Sequence, residues 1–409
     1  MQPLTSNRIL AVDALRGFAL LGIFLAHMIT WYSVGPLPAN LFSHLSIISS
    51  IVYKVNDLFI SGKFFALFSF LFGFGFFIQL QSLEKKTGNP VFRYCWKIIL
   101  LGVIGMVHAM FWQSDILTIY AILAFFLFPV SKRSNRLILF LGILLAINIP
   151  GRLMELVYSL IAKSGNQHTG YWKSPSRSYY DTIIHANWIE LFRFNRNSWS
   201  DKIRFQIVSG RIFVTYGFFL MGIFTGRMGW FTNLQSAKET IKKIFKYSFR
   251  IILVAVVLRK TAIVLDEAYT LGWQENVFGE FFITIFFNIR TAAMVCLYIS
   301  GFTLLMYQPS WQNRLAPFSK VGKMAITCYL SQTVFGLFLY YHVGLGLFGK
   351  TSLWENWLIT ILLFILQLVF CQLWLRKLHF GPIEWLWRSF TYFKWQPLLK
   401  TENTQILNQ

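Results

Sequence analysis

Long apolar runs recur along the whole chain, separated by short connectors rich in Lys and Arg. An α-helix needs about 20 apolar residues to cross a bilayer. Hydrophobic residues make up 56% of the chain and charged residues only 13%. The pattern therefore predicts an all-α, polytopic membrane helix bundle with about ten transmembrane helices. The predicted spans are 14–32, 59–80, 98–111, 115–130, 137–156, 207–225, 251–265, 277–306, 324–342 and 357–374.

The positions of the basic residues predict the orientation of the bundle. An even number of spans puts both termini on one side, and the basic connectors and the basic tail then fall on that side too. Because Lys and Arg accumulate in cytoplasmic connectors, both termini are predicted to be cytoplasmic. These connectors account for the net charge of +22. The expected partner is therefore the lipid bilayer, with no nucleic acid.

The whole chain, 1–409, is predicted to be a single membrane domain. It divides into an N-terminal five-helix half at 8–156 and a C-terminal five-helix half at 207–392. Between them, 162–206 mixes Trp, Tyr and Arg, which predicts an extracytoplasmic loop with an interfacial helix. Residues 393–409 form the predicted cytoplasmic tail.

The first span carries three ionisable residues, Asp13, Arg16 and His27, within RILAVDALRGFALLGIFLAHMITW at 8–31. At about 100° per residue, eleven positions return Arg16 and His27 to the same helix face, about 16 Å apart along the axis. Asp13 precedes Arg16 by one helical turn and can pair with it. Ionisable groups inside a membrane are candidates for function. The alternative is an ordinary charge pair at a helix start, followed by a packed histidine.

A second polar group is predicted at the outer ends of spans two to four. Lys63 begins the second span, and His108, Trp112 and Asp115 flank the short turn between spans three and four. Their spacing gives the last three a common face if the helix continues through them. A histidine beside a carboxylate suits proton transfer, because the carboxylate fixes the tautomer and stabilises the imidazolium. The alternative is snorkelling by Lys63 and turn capping by Asp115.

The eighth span contains Arg290, ten residues after Glu280, and is predicted as one tilted helix or as a re-entrant piece followed by a span. Arg290 is a candidate for a substrate contact inside the membrane. The four cysteines form no CxxC motif and no metal-ligand spacing with His, so no metal site is predicted. A Gly-rich phosphate loop is also absent from the sequence, and no bound cofactor is expected.

Five motifs, in order along the chain, resemble the bacterial DUF418 (YeiB-like) family of integral membrane proteins. They are VDALRGFALLGIF, KFFALFSFLFGFGF, GMVHAMFWQSDILTIYA, VGKMAITCYLSQ and WLRKLHFGPIEWLWRSFTY, at 12–24, 63–76, 105–121, 321–332 and 374–392. The resemblance implies a multi-pass protein of the bacterial cytoplasmic (inner) membrane and marks the C-terminal half as DUF418-like. Lys323 stands where the family pattern has Arg, so the charge is kept but bidentate phosphate binding is not.

The first-helix motif also resembles that of membrane acyltransferases of the acyltransferase-3 and heparan glucosaminide acetyltransferase type. In acyltransferase-3 proteins an Arg, ten residues and a His mark the first span, which places the functional pair on Arg16 and His27. Many DUF418 members have Asn at the position of His27, and this leaves His108 as the alternative base.

Two functions follow as expectations. In the first, acyl-CoA is the co-substrate, Arg16 and Lys323 hold its phosphates, and His27 is the general base or acyl carrier toward an envelope glycan or lipid, assisted by Asp115 or His108. In the second, the protein is a transporter or flippase for a small amphipathic molecule. A non-catalytic membrane component is the third alternative. Further candidate substrate contacts are Asp13, Lys63, Trp112 and Arg290.

Overall fold

The computed structural model describes residues 6–33, 45–84, 89–161, 177–231, 234–269 and 277–400. Within these ranges the regular structure is helical, apart from an isolated antiparallel bridge between Leu378 and Leu399. The predicted all-α membrane bundle is confirmed. Two predicted pieces, 162–176 of the extracytoplasmic loop and 401–409 of the tail, lie outside the described residues.

The helices follow the apolar runs, and polar or proline residues set several of their starts. Asn89, Ser134 and Ser352 cap three helices by accepting backbone hydrogen bonds or completing a capping box. The helices are α1 Ser6–Ala26, α2 Ile47–Val55, α3 Phe64–Glu84, α4 Pro90–Phe111, α5 Leu117–Val130, α6 Asn135–Ala146, α7 Ile149–Ile161, α8 Arg177–His185, α9 Trp188–Asn197, α10 Trp199–Val208, α11 Arg211–Arg227, α12 Leu234–Tyr269, α13 Val277–Leu305, α14 Pro309–Lys323, α15 Ala325–Tyr340, α16 Leu353–Lys377 and α17 Pro382–Tyr392.

Helix α1 is the centre of the bundle. Its side chains at Ala14, Leu15, Ala19 and Leu20 are fully buried, because α3, α13, α14, α15 and α16 all contact this helix. A helix surrounded by protein can hold ionisable groups that lipid would not tolerate. The polar residues of α1 therefore face other helices.

Two glycines let α14 lie directly against α1. A Cβ atom on Gly17 would stand 2.0 Å from the carbonyl oxygen of Phe318, and one on Gly322 would stand 1.8 Å from that of Asp13. Small residues allow this close approach of helix backbones in membrane proteins. The contact brings Lys323 to the same level as Asp13 and Arg16.

Gly322→Ala is expected to lower the free energy of unfolding by about 1–3 kcal/mol, because the added methyl group forces two backbones apart. Gly102→Ala is the matched control, since its Cβ would meet the Cβ of Ala121 at an ordinary 3.5 Å. We expect the control to be neutral or slightly stabilising. Thermal unfolding in detergent measures both variants, and equal melting temperatures would contradict the proposed helix contact.

Five helices are long and apolar enough to cross a membrane, and the number rises to seven if each of two bent helix pairs counts as one span. Two shorter apolar helices, Leu117–Val130 and Ala325–Tyr340, occur as well. These numbers refer to the described ranges. The count of ten spans therefore stays a prediction, as do the domain division and the cytoplasmic placement of the termini.

Three predicted spans differ in detail from the helices. The eighth is one continuous helix of 29 residues, α13, which removes the re-entrant alternative. The fifth bends by 50° between α6 and α7, close to Pro150 and Gly151, and the sixth breaks with a 66° bend between α10 and α11. Gly210 adopts a φ of +68° at the second break, a conformation that glycine reaches without steric cost.

The bundle has two chemically different ends. At one, which we call the basic end, α17 packs on the start of α4. There the indole N–H of Trp387 donates to the backbone carbonyl of Lys97, and that of Trp96 donates to the backbone carbonyl of Phe390, each at 3.0 Å. At the other, the covered end, α8, α9 and α10 lie over the helix termini, where Asn195 donates to the carbonyl of Met110 at 2.9 Å. The predicted orientation assigns the basic end to the cytoplasm.

Candidate functional site

The first helix ends in a widened turn that carries His27. α1 is α-helical to Ala26, and His27–Tyr32 forms a π-helical turn. Such turns are frequent at functional sites. The centroid of the His27 ring lies 4.6 Å from that of Trp112, 6.3 Å from that of Tyr32 and 6.5 Å from that of Tyr329. His27 thus faces an aromatic group near the covered end.

His108 and Asp115 form a buried pair in which Nδ1 and Oδ1 are 2.7 Å apart. Helix α4 does not continue through them, because it ends at Phe111 and Trp112 is extended. The condition for a common helical face is therefore not met, and a tight turn makes the contact instead. The Asp115 carboxylate also accepts from the backbone N–H groups of Leu117 at 3.1 Å and Thr118 at 3.0 Å, so it caps α5 as well.

The other nitrogen of His108 meets a hydroxyl from a distant helix. His108 Nε2 is 2.8 Å from Thr333 Oγ1 on α15, and the Tyr32 hydroxyl donates to the same oxygen at 3.0 Å. One assignment of protons satisfies every contact: Thr333 donates to Nε2, and Nδ1–H donates to Asp115. A hydroxyl, an imidazole and a carboxylate in this order form the arrangement that removes a proton from a hydroxyl.

Lys202 of α10 completes the surroundings of Asp115. Its ammonium lies 3.4 Å from the carboxylate and 2.9 Å from Thr118 Oγ1, which in turn donates to the carboxylate at 2.6 Å. Lys202 and Asp115 are both buried. A buried carboxylate with a cation, hydroxyl and amide donors around it is fixed in position. Lys202 was not predicted as a site residue, because it lies in 162–206, which was predicted to be an extracytoplasmic loop with an interfacial helix.

Arg211 was also missed, since 207–225 was predicted as one apolar span. It follows Gly210 at the break between α10 and α11, and its guanidinium lies 4.1 Å from the centroid of the Phe65 ring. Arg211 has electrostatic interactions with His27 and Tyr329. An arginine directly after a glycine inside an apolar run was the signal available in the sequence.

A cavity of about 200 Å³ extends from the basic end into the bundle. Its walls are apolar and aromatic side chains, mostly from α3 and α4. Its polar lining residues are Arg16, Gln79, Lys323 and Glu384, and the phenol rings of Tyr94, Tyr120 and Tyr329 also line it.

Arg16 is held at the basic end by its neighbour Asp13, with Nη1 2.9 Å from Oδ1. Lys97 adds a third cation close by, because it donates to Gln79 at 2.8 Å and stacks 4.4 Å above the ring of Trp387. The opening of the cavity is therefore cationic and suits an anionic ligand.

Glu384 of α17 is the acidic group at the opening, and its carboxylate stabilises the start of another helix. Its carboxylate accepts from the backbone N–H groups of Ile326 at 2.6 Å and Thr327 at 3.0 Å, which caps the start of α15. Burial raises the pKa of Glu384 above its ordinary value, although these hydrogen bonds oppose the shift. Because Glu384 is engaged in this way, Arg16 and Lys323 dominate the charge of the opening.

The ring of Tyr329 lies between the cavity lining and the two histidines. Tyr329 lines the cavity, and the centroid of its ring lies 5.2 Å from that of His108 and 6.5 Å from that of His27. Of the predicted first-helix pair, Arg16 thus lines the cavity itself, and His27 lies next to one of its lining residues.

The structure does not bring Lys63 and Arg290 to this site. Lys63 donates to the carbonyl of Asp57 at 2.5 Å, and Arg290 stacks on Phe287 of its own helix at 4.9 Å. Both belong to a separate cluster with Arg259 of α12. Among the described residues, no group of three or more His, Cys, Asp or Glu is placed to hold a metal ion.

Comparison with known proteins finds a family of unknown function and relatives from bacteria. Residues 225–394 match the family model described as "Protein of unknown function (DUF418)". The chain is 29% identical to "Uncharacterized protein YxaH" of Bacillus subtilis (strain 168), with 98% of each chain covered. It is 24% identical to "Uncharacterized protein YeiB" of Escherichia coli (strain K12), with 94% of this chain and 96% of the relative covered. No solved structure matches the chain.

Proposed function

The chain belongs to the DUF418 (YeiB-like) family of integral membrane proteins, and we propose that it is an acyltransferase. It takes an acyl group from cytoplasmic acyl-CoA and passes it to a hydroxyl or amine of an envelope glycan or lipid. The observation that carries this proposal is the cavity, because Arg16, Lys323 and Tyr329 all line it, and the Tyr329 ring centroid lies 5.2 Å from that of His108.

The donor is expected to lie along the cavity. Arg16 and Lys323 would bind its phosphates at the basic end, because a partly exposed guanidinium pairs well with phosphate oxygens. At about 200 Å³ the cavity is smaller than a typical ligand pocket. The narrow pantetheine and acyl arm would enter it, while the nucleotide would stay at the opening.

His108 is proposed as the general base. The acceptor hydroxyl would take the place that Thr333 Oγ1 holds beside Nε2, 2.8 Å away. Its oxygen attacks the thioester carbon while its proton moves to Nε2; the carbon–sulfur bond then breaks, and the leaving thiolate takes that proton. Asp115 holds the tautomer and stabilises the imidazolium. His27, which lies among aromatic rings, is proposed to position the acceptor.

The test is transfer of radiolabelled acetyl from acetyl-CoA by the purified full-length protein in bacterial lipid vesicles. Lipid and glycan products are separated and counted. We expect an acetylated product that requires the protein and is lost in Asp115→Asn, because an amide stabilises the wrong tautomer of His108. If Asp115→Asn keeps full activity, the pair is not the base. If no acyl-CoA of short or long chain is consumed with a total envelope extract, the proposal is overturned.

A transporter or flippase is the second candidate, and the two bent helix pairs, at 50° and 66°, favour it. Broken spans beside buried charges are typical of transport paths. The discriminating measurement is uptake of labelled amphipathic compounds into proteoliposomes without any acyl donor. Uptake that persists in Asp115→Asn would favour transport over acyl transfer.

A further inference from the structure

Three cationic side chains meet away from the cavity, between the start of α3 and helices α12 and α13. They are Lys63, Arg259 and Arg290, and we call them the Arg290 cluster. Lys63 is fully buried and Arg290 is 8% exposed. The guanidinium groups of Arg259 and Arg290 lie 5.6 Å and 4.9 Å from the centroid of the same Phe287 ring. Electrostatic interactions link Arg290 with Arg259 and with Lys63.

Several hydrogen-bond donors of this cluster have no acceptor among the described residues. Nε and Nη2 of Arg290 and Nε of Arg259 are buried and have no hydrogen-bond partner within the part of the chain that the structure describes. Lys63 donates to a backbone carbonyl, that of Asp57. Arg290 interacts electrostatically with the carboxylate of Asp57, which is an exposed residue. Buried cations with unfilled donors are costly unless an anion joins them.

We propose that the Arg290 cluster binds the phosphate group of an anionic membrane lipid. A guanidinium offers a planar pair of donors that fits a phosphate, and Arg290 has two such nitrogens unfilled. Apolar side chains of the two helices are exposed, among them Val257 at 61% and Phe282 at 58%, so acyl chains can lie along α12 and α13. Basic sites between transmembrane helices recognise anionic lipid headgroups in this way.

A lipid fits this place better than a soluble anion. The exposed apolar side chains of α12 and α13 face the hydrocarbon of the bilayer in a spanning bundle. A lipid phosphate therefore reaches the cluster from the bilayer. The inference does not depend on acyl transfer, because the cluster is separate from the cavity and from His108.

The test compares the full-length protein in nanodiscs of phosphatidylcholine alone and of phosphatidylcholine mixed with phosphatidylglycerol. We expect the anionic lipid to raise the melting temperature of the wild-type protein. Native mass spectrometry after release should show retained phosphatidylglycerol, with about tenfold weaker retention in Arg290→Gln. Arg136→Gln changes an exposed arginine in the first turn of α6; it is the matched control and should retain the lipid like the wild type.

Arg290→Met is the second variant, for use if Arg290→Gln folds poorly. It removes a buried charge that the phosphatidylcholine headgroup, which is zwitterionic and has no net charge, does not neutralise, so there it should be at least as stable as the wild type. In the mixed nanodiscs it should be the less stable of the two. Loss of stability in both lipids, or unchanged phosphatidylglycerol retention in Arg290→Gln, would overturn the proposal. Equal stabilisation of the wild type by inorganic phosphate in phosphatidylcholine would overturn its assignment to a lipid.

Discussion

His108→Ala is expected to slow acyl transfer by about 10²–10⁴-fold, which is the contribution that a positioned general base makes to a rate. The reason is geometric: Nδ1 is fixed by Asp115 at 2.7 Å, and Nε2 is presented to a hydroxyl at 2.8 Å. The measurement is the initial rate of labelled acetyl transfer at saturating acetyl-CoA, with the folded state checked by size exclusion.

His342→Ala is the control for this experiment. His342 is exposed, and the hydrogen bond that the structure gives it uses its backbone N–H, so the side chain can be removed without disturbing the site. His27→Ala separates the two histidines. If His27 positions the acceptor, we expect a higher KM for the acceptor and a modest loss in kcat. A loss as large as that of His108→Ala would make His27 the base instead.

Arg16→Ala is expected to weaken the binding of CoA by about 10- to 100-fold, since a hydrogen bond between charged groups contributes roughly 1.5–3 kcal/mol. Arg16 lies at the cationic opening of the cavity and keeps part of its surface exposed, 28% of the side chain. Isothermal titration with CoA measures the affinity. The loss should shrink at high salt, because exposed charges are screened.

Arg16→Lys tests the geometry of the contact separately from its charge. A lysine keeps the charge but loses the planar pair of donors, so an intermediate affinity is expected. Arg136→Ala controls for the general positive charge of the basic connectors. Equal affinity in wild type, Arg16→Ala and Arg136→Ala would mean that CoA does not bind at this opening.

The sequence allowed prediction of the features that depend on hydrophobic periodicity or on residues close together in the chain. The helical bundle followed from the apolar runs, and the pair of His108 and Asp115 could be anticipated because a few residues of one turn separate them. The manner of the contact could not, since it depends on α4 ending at Phe111.

Lys202 and Thr333 could not be placed from the sequence. They lie 87 and 225 positions from their partners Asp115 and His108, and no local pattern encodes such a distance. Thr333 is the residue immediately after the motif VGKMAITCYLSQ, where it looks like any other polar residue of a membrane helix. Arg290 was recognised as unusual, but its neighbour Arg259 comes from α12, whose packing on α13 only the structure provides.

The position of the Tyr329 ring matters for the proton permeability of the membrane. An open water path along the cavity and past His108 would let protons run down the membrane potential, which is worth about 2.3 kcal/mol per charge for each 100 mV. The Tyr329 ring lines the cavity, and its centroid lies 5.2 Å from that of His108, so we expect this phenol to block that path. Tyr329→Ala should therefore make vesicles that contain the protein permeable to protons. A protein that passes an acyl group across the membrane in the proposed way would have to exclude ions from the same path.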